Sequence, residues 1–361
     1  MALGRNEYYV RPTNGSDVAG QGTSHATAYQ TLNFAVSDIT STHGVNAGTR
    51  SDRINICDEA TAVVTSNVTY TSQLYGRTYE GYTSVAGDGG IGVLNMGTTG
   101  GTARYFNSRT YTNFKNLEIF GGLNPLRLSS GTAQNVKIHD TASGCIDLAT
   151  NAMLIDCEAY NINNFFVTAT SGQCTIIGCK FWPGTGSGIS GIGIALGFNS
   201  RVSRTIVDIG TGTNNAIQCN SSINMIDGCS IVSRGNASTS SHAVRVSSIQ
   251  TTISNCLIQG WSATGQVAIQ TTGSTYNIFS VSNNAFYDND TDYPTGSVMS
   301  ASDNENPGAS LFVDLASDDY TPANIGNIRN GSYGALNISK GAHQLSAGGA
   351  AAAAFHPLAY N

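Results

Sequence analysis

Charge is what this chain has least of. Lys, Arg, Asp and Glu make up 11% of its 361 residues, against about a quarter in an average globular protein. With 17 basic residues, 23 acidic ones and no basic cluster, it cannot build the patch that neutralises phosphates, so nucleic acid is excluded as a partner. No apolar run reaches the roughly 18 residues of a bilayer-spanning helix, and no membrane partner is expected. The opening MALGRNEYYV lacks the basic, apolar and small-residue order of a secretory leader, so synthesis and assembly inside the producing cell are expected. The eight cysteines (57, 145, 157, 174, 179, 219, 229 and 256) include no C-x-x-C pair, and no histidine stands at zinc-ligand spacing. No metal and no cofactor are therefore expected, and the thiols read as free and interior. His25, His43, His139, His242, His343 and His356 are isolated in sequence and assign no Ser-His-Asp trio. Disorder is excluded as well, because the hydrophobic share is 40% and the net charge only -6.

What the chain does have is a repeat. Apolar, then Asn, Asp or Gly, then Cys or aliphatic, then any residue, then aliphatic recurs in FKNLEIF from Phe114, AQNVKIH from Ala133, LIDCEAY from Leu154 and IIGCKFW from Ile176. It returns in VSRTIVD from Val202, IDGCSIV from Ile226, ISNCLIQ from Ile253 and VSNNAFY from Val281, at steps of 19 to 28 residues. A second short apolar alternation lies between copies, at 126–128, 146–148, 165–167, 194–196, 217–219, 244–246 and 267–269. Two brief strands per period, bounded by Gly, Ser, Thr and Asn, suit neither a four-stranded propeller blade nor a helical repeat. They predict an all-β, single-stranded right-handed parallel β-helix, a solenoid whose equivalent residues stack about 4.8 Å apart.

Stacking the copies predicts columns. Asn116, Asn135, Asp156, Gly178, Ser203, Gly228, Asn255 and Asn283 fall at one bend, where Asn, Asp and Gly accept a left-handed backbone. Arg204 is placed one position on, in the column of Leu117, Val136, Cys157, Cys179, Cys229, Cys256 and Asn284, whose cysteines point inward. Glu118, Lys137, Glu158 and Lys180 point outward as a ladder of alternating sign. On the second strand the outward residues are placed at Arg127, Asp147, Phe166, Ala195, Gln218, Arg245 and Ala268.

The ends read differently. Residues 1–40 are an N-terminal cap of strand, Gly-rich loop and amphipathic helix carrying Tyr29, Leu32, Phe34, Ala35, Val36 and Ile39. Residues 41–310 are coils, 311–344 a closing segment, and 345–361 a Gly/Ala tether with a docking tail. The loop GSDVAGQG lacks the Lys-Ser/Thr ending of a phosphate cradle. The stretch YYVRPTNGSDVAGQGTSHATAYQTLNFAVSDI, with LFVDLASDDYTPANIGN and KGAHQ near the other end, resembles the pectin-lyase-like β-helix superfamily over residues 8–344. That superfamily hosts lyases, hydrolases, adhesins and virion spikes.

Carboxylate clusters of the kind those enzymes carry are not evident. The best group is Asp140, Asp147, Asp156 and Glu158, from neighbouring coils, as the candidate catalytic set of a glycoside hydrolase or polysaccharide lyase. Tyr160, Phe165, Phe166, Trp182 and Trp261 are candidates for stacking on sugars or covering an interface. Phe355, His356, Pro357, Leu358 and Tyr360 suit insertion into a partner's groove. Whether the chain is an enzyme is left open. The chain most resembles bacteriophage virion β-helix proteins, which implies a structural protein of the particle, assembled in the host cytoplasm, with other virion proteins as partners and a homotrimeric state. The alternatives are a tailspike-like depolymerase, which the lack of room for an N-terminal anchor disfavours, and a carbohydrate-binding adhesin, both acting on a host surface polysaccharide.

Overall fold

Each period of the repeat closes into a coil of three short strands, one more than the sequence pattern suggests. The apolar-Asn-Cys motif is itself two strands, because its third residue adopts a left-handed conformation that turns the chain. One coil runs Met153–Ile155, then Asp156 at φ 52°, then Glu158–Ile162, then Phe165–Ala169. The computed structural model describes residues 5–43, 51–70, 76–97, 105–108, 111–184, 188–235, 238, 240–247, 250–272, 278–293 and 298–323. The tail residues Phe355, His356, Pro357, Leu358 and Tyr360 lie outside this set, as does KGAHQ.

Three parallel ladders result. The first runs from Arg5–Val10 to Val298–Ser302 and the second from Ala62–Val63 to Ala285–Tyr287. The third stacks nine strands from Val68–Tyr70 to Ile269–Thr271. Thr112–Phe120 and Thr132–Thr141 pass unbroken through the first bend and serve both of the first two ladders. Leu154, Ile176, Val202, Ile226, Ile253 and Val281 fill one inward column of a fully buried core.

The register is as expected for most rungs and one residue off at one. Asn116, Asn135, Asp156, Gly178, Gly228, Asn255 and Asn283 all have positive φ, but on the fifth rung Arg204, at φ 49°, takes the bend and Ser203 ends a strand. Thr205, fully buried, then holds the inward place assigned to Arg204. An arginine tolerates the bend because its charged end reaches solvent, whereas it could not stand in the core. On the third ladder, register pairs Asp147 with Thr168 and Arg245 with Gln270. Phe166 and Ala268 are inward and buried, not outward. Two further columns of left-handed residues turn the coil elsewhere, with Asp140 and Asn161 at the second bend and Asn151, Gln173 and Asn199 at the third.

Whereas the two earlier rungs carry Leu117 and Val136, from Cys157 onward the inward residue after the left-handed position of the first bend has a consistent chemistry. Its side chain donates back to the carbonyl two residues earlier: Cys157 to Ile155 at 3.4 Å, Cys179 to Ile177 at 3.4 Å, Thr205 to Ser203 at 3.0 Å and Cys256 to Ser254 at 3.1 Å. The third bend repeats this with Cys174 to Gly172 at 3.5 Å and Ser200 to Phe198 at 3.3 Å. The backbone N–H of the same residue points into the core and donates to the side chain one rung on, as from Cys179 to Thr205 Oγ1 at 3.4 Å and from Cys174 to Ser200 Oγ at 3.2 Å. Cys256 in turn donates to Asn284 Oδ1 at 2.9 Å. A buried N–H left alone is costly, so from Cys157 onward this column carries Cys, Thr or Asn in place of a plain aliphatic residue.

The N-terminal strand and helix Leu32–His43 close the first coil. Asp17 accepts from the N–H groups of Gln30 and Thr31, both at 2.9 Å, and Thr31 Oγ1 accepts from Phe34 N at 3.2 Å, the geometry of a helix N-cap. Glu59 clips the loop after the first strand, accepting from Arg11 at 2.8 Å and from the N–H groups of Thr13 and Asn14 at 3.1 Å. At the other end, Leu311, Phe312 and Tyr320 of the closing segment lie over Ile206, Val232, Leu257 and Ala285 on the outside of the second ladder. Asp208, fully buried beneath, accepts from Arg234 at 2.6 Å, Tyr320 at 2.7 Å and Gly210 N at 2.6 Å, and Arg234 also pairs with Asp318. Burial pushes the Asp208 carboxyl up and the Arg234 guanidinium pulls it back in part.

Two outcomes follow from this packing. All eight cysteines are free and buried, and burial raises Cys145 well above its ordinary value, Cys174 to about 11 and Cys219 to about 12. A thiol reagent at pH 8 should label the native chain slowly and the denatured chain at all eight positions. Cys179→Asp, an unpaired buried carboxylate, should cost several kcal/mol and prevent folding; fast native labelling would place the cysteines on the wrong face. The second outcome concerns acid. Burial raises Glu59, but its hydrogen bonds from Asn14, Arg11 and Thr13 outweigh that and hold it at about 2 rather than 4.5. The folded-state value is lowered, so the stabilisation is present above pH 4.5 and is lost as pH falls toward 2, at most about 3 kcal/mol in all. In Glu59→Gln, the acid-dependent part of the thermal unfolding shift over that window should shrink.

Candidate functional site

Alternation along the second ladder puts every other residue outside, and two outward columns carry most of the chemistry on that face. One column reads Glu118, Lys137, Glu158, Lys180 in register, as expected, with Lys137 Nζ 3.9 Å from Glu158 Oε2. The next column reads Phe120, His139, Tyr160, Trp182. Because the rungs repeat at the strand spacing, their rings stack face to face. Centroids are 5.6 Å apart for Phe120–His139, 4.9 Å for His139–Tyr160 and 4.7 Å for Tyr160–Trp182, with interplanar angles of 15°, 6° and 25°. Lys180 Nζ lies 4.3 Å from the Trp182 ring centre and 5.0 Å from that of Tyr320, where the stack meets the closing segment.

Within this stack the imidazole of His139 is held between two carboxylates. Its Nε2 is 3.2 Å from Glu118 Oε1 and its Nδ1 is 2.7 Å from Asp140 Oδ2. Asn161 Nδ2 donates to the other oxygen of Asp140 at 2.9 Å. Partial burial raises the Asp140 carboxyl, but the hydrogen bonds from His139 and Asn161 outweigh it and leave Asp140 below the ordinary carboxylate range. A protonated imidazole can donate to both carboxylates, while a neutral one can donate to one alone.

The four acids proposed from sequence do not form one centre. Asp140 stands at the second bend and Glu158 on the second ladder beside Lys137. Asp156 forms the first bend, its Oδ1 placed 2.3 Å from where a side chain on Gly178 would begin. Asp147 is on the third ladder, 3.6 Å from Arg127 Nε and accepting from Thr168 at 3.2 Å. Two-carboxylate glycoside hydrolysis needs acid and base on either side of an open gap. Between Glu118 and Asp140 that gap is filled by the His139 ring. Among the described residues, no three His, Cys, Asp or Glu side chains converge as a cation site.

The aromatic candidates also divide. Tyr160 and Trp182 lie in the outer stack, with ring faces turned toward their neighbours and edges toward solvent, a poor platform for a sugar. Phe166 stacks on Phe181 in the core at 5.8 Å, and Trp261 is fully buried, so neither is a surface aromatic. Phe165 lies half-buried across Gly144. Sequence reasoning missed Glu118, His139 and Phe120 as a unit, although counting two residues on from each member of the Glu/Lys column reaches an aromatic ring every time. The Asp208, Arg234, Asp318 and Tyr320 cluster carried no such signal, because its members are far apart in sequence.

The three-ladder solenoid defines the class, a pectin-lyase-like parallel β-helix. No family model and no curated protein sequence matches the chain. Among solved structures it is similar to pectate lyase Pel9A, with a TM-score of 0.55 at 13% identity, over 96% of this chain and 98% of that one. It is also similar to a rhamnogalacturonan lyase, with a TM-score of 0.52 at 12% identity, over 87% and 92%. At such identities the likeness is one of fold.

Replacing His139 tests whether the column is a structural stack. His139→Ala should open a gap and lower stability by about 1–3 kcal/mol in thermal unfolding, and His139→Phe should recover most of the loss. Equal stability of all three chains would mean that the stack holds nothing together.

Proposed function

We propose that the protein is a non-catalytic structural component of a bacteriophage particle, a homotrimeric β-helix carried on the virion and joined to other virion proteins. The observation that carries this reading is how the candidate acids are engaged: Asp140 with His139 and Asn161, Glu158 with Lys137, Asp147 with Arg127, and Asp156 in a bend. Each holds one rung to the next or turns the coil. The cap and closing segments resemble those of the pectin-lyase-like superfamily, which includes virion spikes, and the tail ending in FHPLAYN suits a groove on a partner.

A second reading, a depolymerase or adhesin for bacterial surface polysaccharide, draws support from two points. The similar structures are named pectate lyase and rhamnogalacturonan lyase. The outer third ladder also presents a polar strip of Arg127, Asp147, Thr168, Gln218, Arg245 and Gln270, groups able to hydrogen-bond sugar hydroxyls.

Incubation with host capsule or lipopolysaccharide separates the readings. New reducing ends or unsaturated products would overturn the structural reading in favour of an enzyme, and retention without products would favour an adhesin. The structural reading expects neither, and expects a chain lacking residues 346–361 to fold but to be absent from assembled particles. Incorporation of that truncated chain at the normal level would contradict the docking role.

A further inference from the structure

The outer face of the first ladder carries the Glu7, Arg53 and Glu80 ion pairs on its early rungs and becomes nearly free of charge from Met153 onward. From the rung of Met153 to the rung of Ser300, two outward columns run through seven stacked parallel strands, with one register shift between Thr251 and Thr252. Their only charged members are Arg201 and Asp227, 3.9 Å apart and so mutually neutralising. The remaining members are Met153, Ile155, Ile177 and Met225, with Ser or Thr elsewhere. At the third bend Phe198 and Ile223 extend the apolar surface, with exposures of 45% and 55%, beside Met225 at 39%.

Ile223 carries a further signal. It has φ 62°, where the corresponding bends use Ser130, Asn151, Gln173, Asn199 and Gln250. A β-branched residue held left-handed costs about 1–2 kcal/mol, and an exposed one recovers nothing from the protein's own core. The apolar strip on the second ladder, by contrast, is covered by the chain's own closing segment.

We infer that the outer face of the first ladder, centred on Met225 and Ile223, is a self-association surface whose occupant is a second copy of this chain. Charge and size select that occupant. A net-neutral face of apolar and hydroxyl side chains meets no like charge on its own copy and offers no complement to an acidic glycan or a strongly charged protein, and depletion of charge marks the centre of protein interfaces. Seven rungs at about 4.8 Å span about 29 Å. Solenoids lying side by side would use this length, and the outward side chains would need no change in fold. The inference names the face for the homotrimer proposed above and rests on that reading only for the number of copies.

The test is sedimentation of the purified full-length chain at micromolar concentration, free of particles, so that it reads self-association separately from incorporation into virions. The expected wild-type species is a multiple of 37.6 kDa. Met225→Lys should weaken association at least about tenfold, about 1.4 kcal/mol, while the cysteines remain shielded. Ile223→Asn should weaken it too, and the dissociated chain should melt no lower than wild type, because Asn suits the left-handed bend. A wild-type chain that sediments only at 37.6 kDa, or variants that both associate as wild type does, would overturn the inference.

Discussion

A left-handed residue at a coil bend turns the next N–H away from the strand ladder and into the core, and the solenoid depends on satisfying it. At Thr205 and Ser200 a small side chain with a heteroatom, one rung on, accepts from that N–H and donates to the carbonyl two residues before itself, and Asn284 accepts in the same way. Cysteine serves because it is small, tolerates an apolar setting and can still donate and accept weakly. Threonine, serine and asparagine take the place at Thr205, Ser200 and Asn284, all buried. The cysteines therefore act as interior polar links as well as fillers of the core.

With the inside fixed in this way, each outer face is free to differ, and the three faces do. The second ladder spends its surface on ion pairs, stacked rings and the clamp of Arg234 and Tyr320 on Asp208. The third presents arginine, glutamine and threonine around a single carboxylate. The first pairs Glu7, Arg53 and Glu80 on its early rungs and is nearly free of charge from Met153 onward. A strand spacing of about 4.8 Å suits ring stacking and alternating charge equally well, so one repeat geometry accounts for both the aromatic column and the Glu/Lys column. A structural role on a particle and a self-associating face are consistent with the same division of labour.

Much of the fold was legible because β-helix columns are written directly in the spacing of the sequence. The Asn, Asp and Gly positions marked the first bend, and the Cys positions marked the inward column beside it. What failed did so for local reasons. VSRTIVD carries arginine where its neighbours carry Gly or Asn, so the bend was placed on Ser203 instead of Arg204. The double aromatic Phe165-Phe166 offered two phases, and the outward one was assigned to the residue that packs on Phe181. The site was less legible than the fold. The four nominated acids share neighbouring coils but not a face, and strand phase alone does not show how far a bend rotates one carboxylate from the next. Clusters such as Asp208 with Tyr320 join residues 112 apart, beyond any pattern within one repeat.

The buried relay at the bends is tested most directly at Thr205, where one side chain can be stripped of its heteroatom without changing its shape. Thermal unfolding of Thr205→Val should show a loss of about 1–3 kcal/mol, because the Cys179 N–H loses its acceptor and the Ser203 carbonyl its second donor. Thr205→Cys should restore most of that loss. A valine variant as stable as wild type, or a cysteine variant no better than valine, would contradict the account.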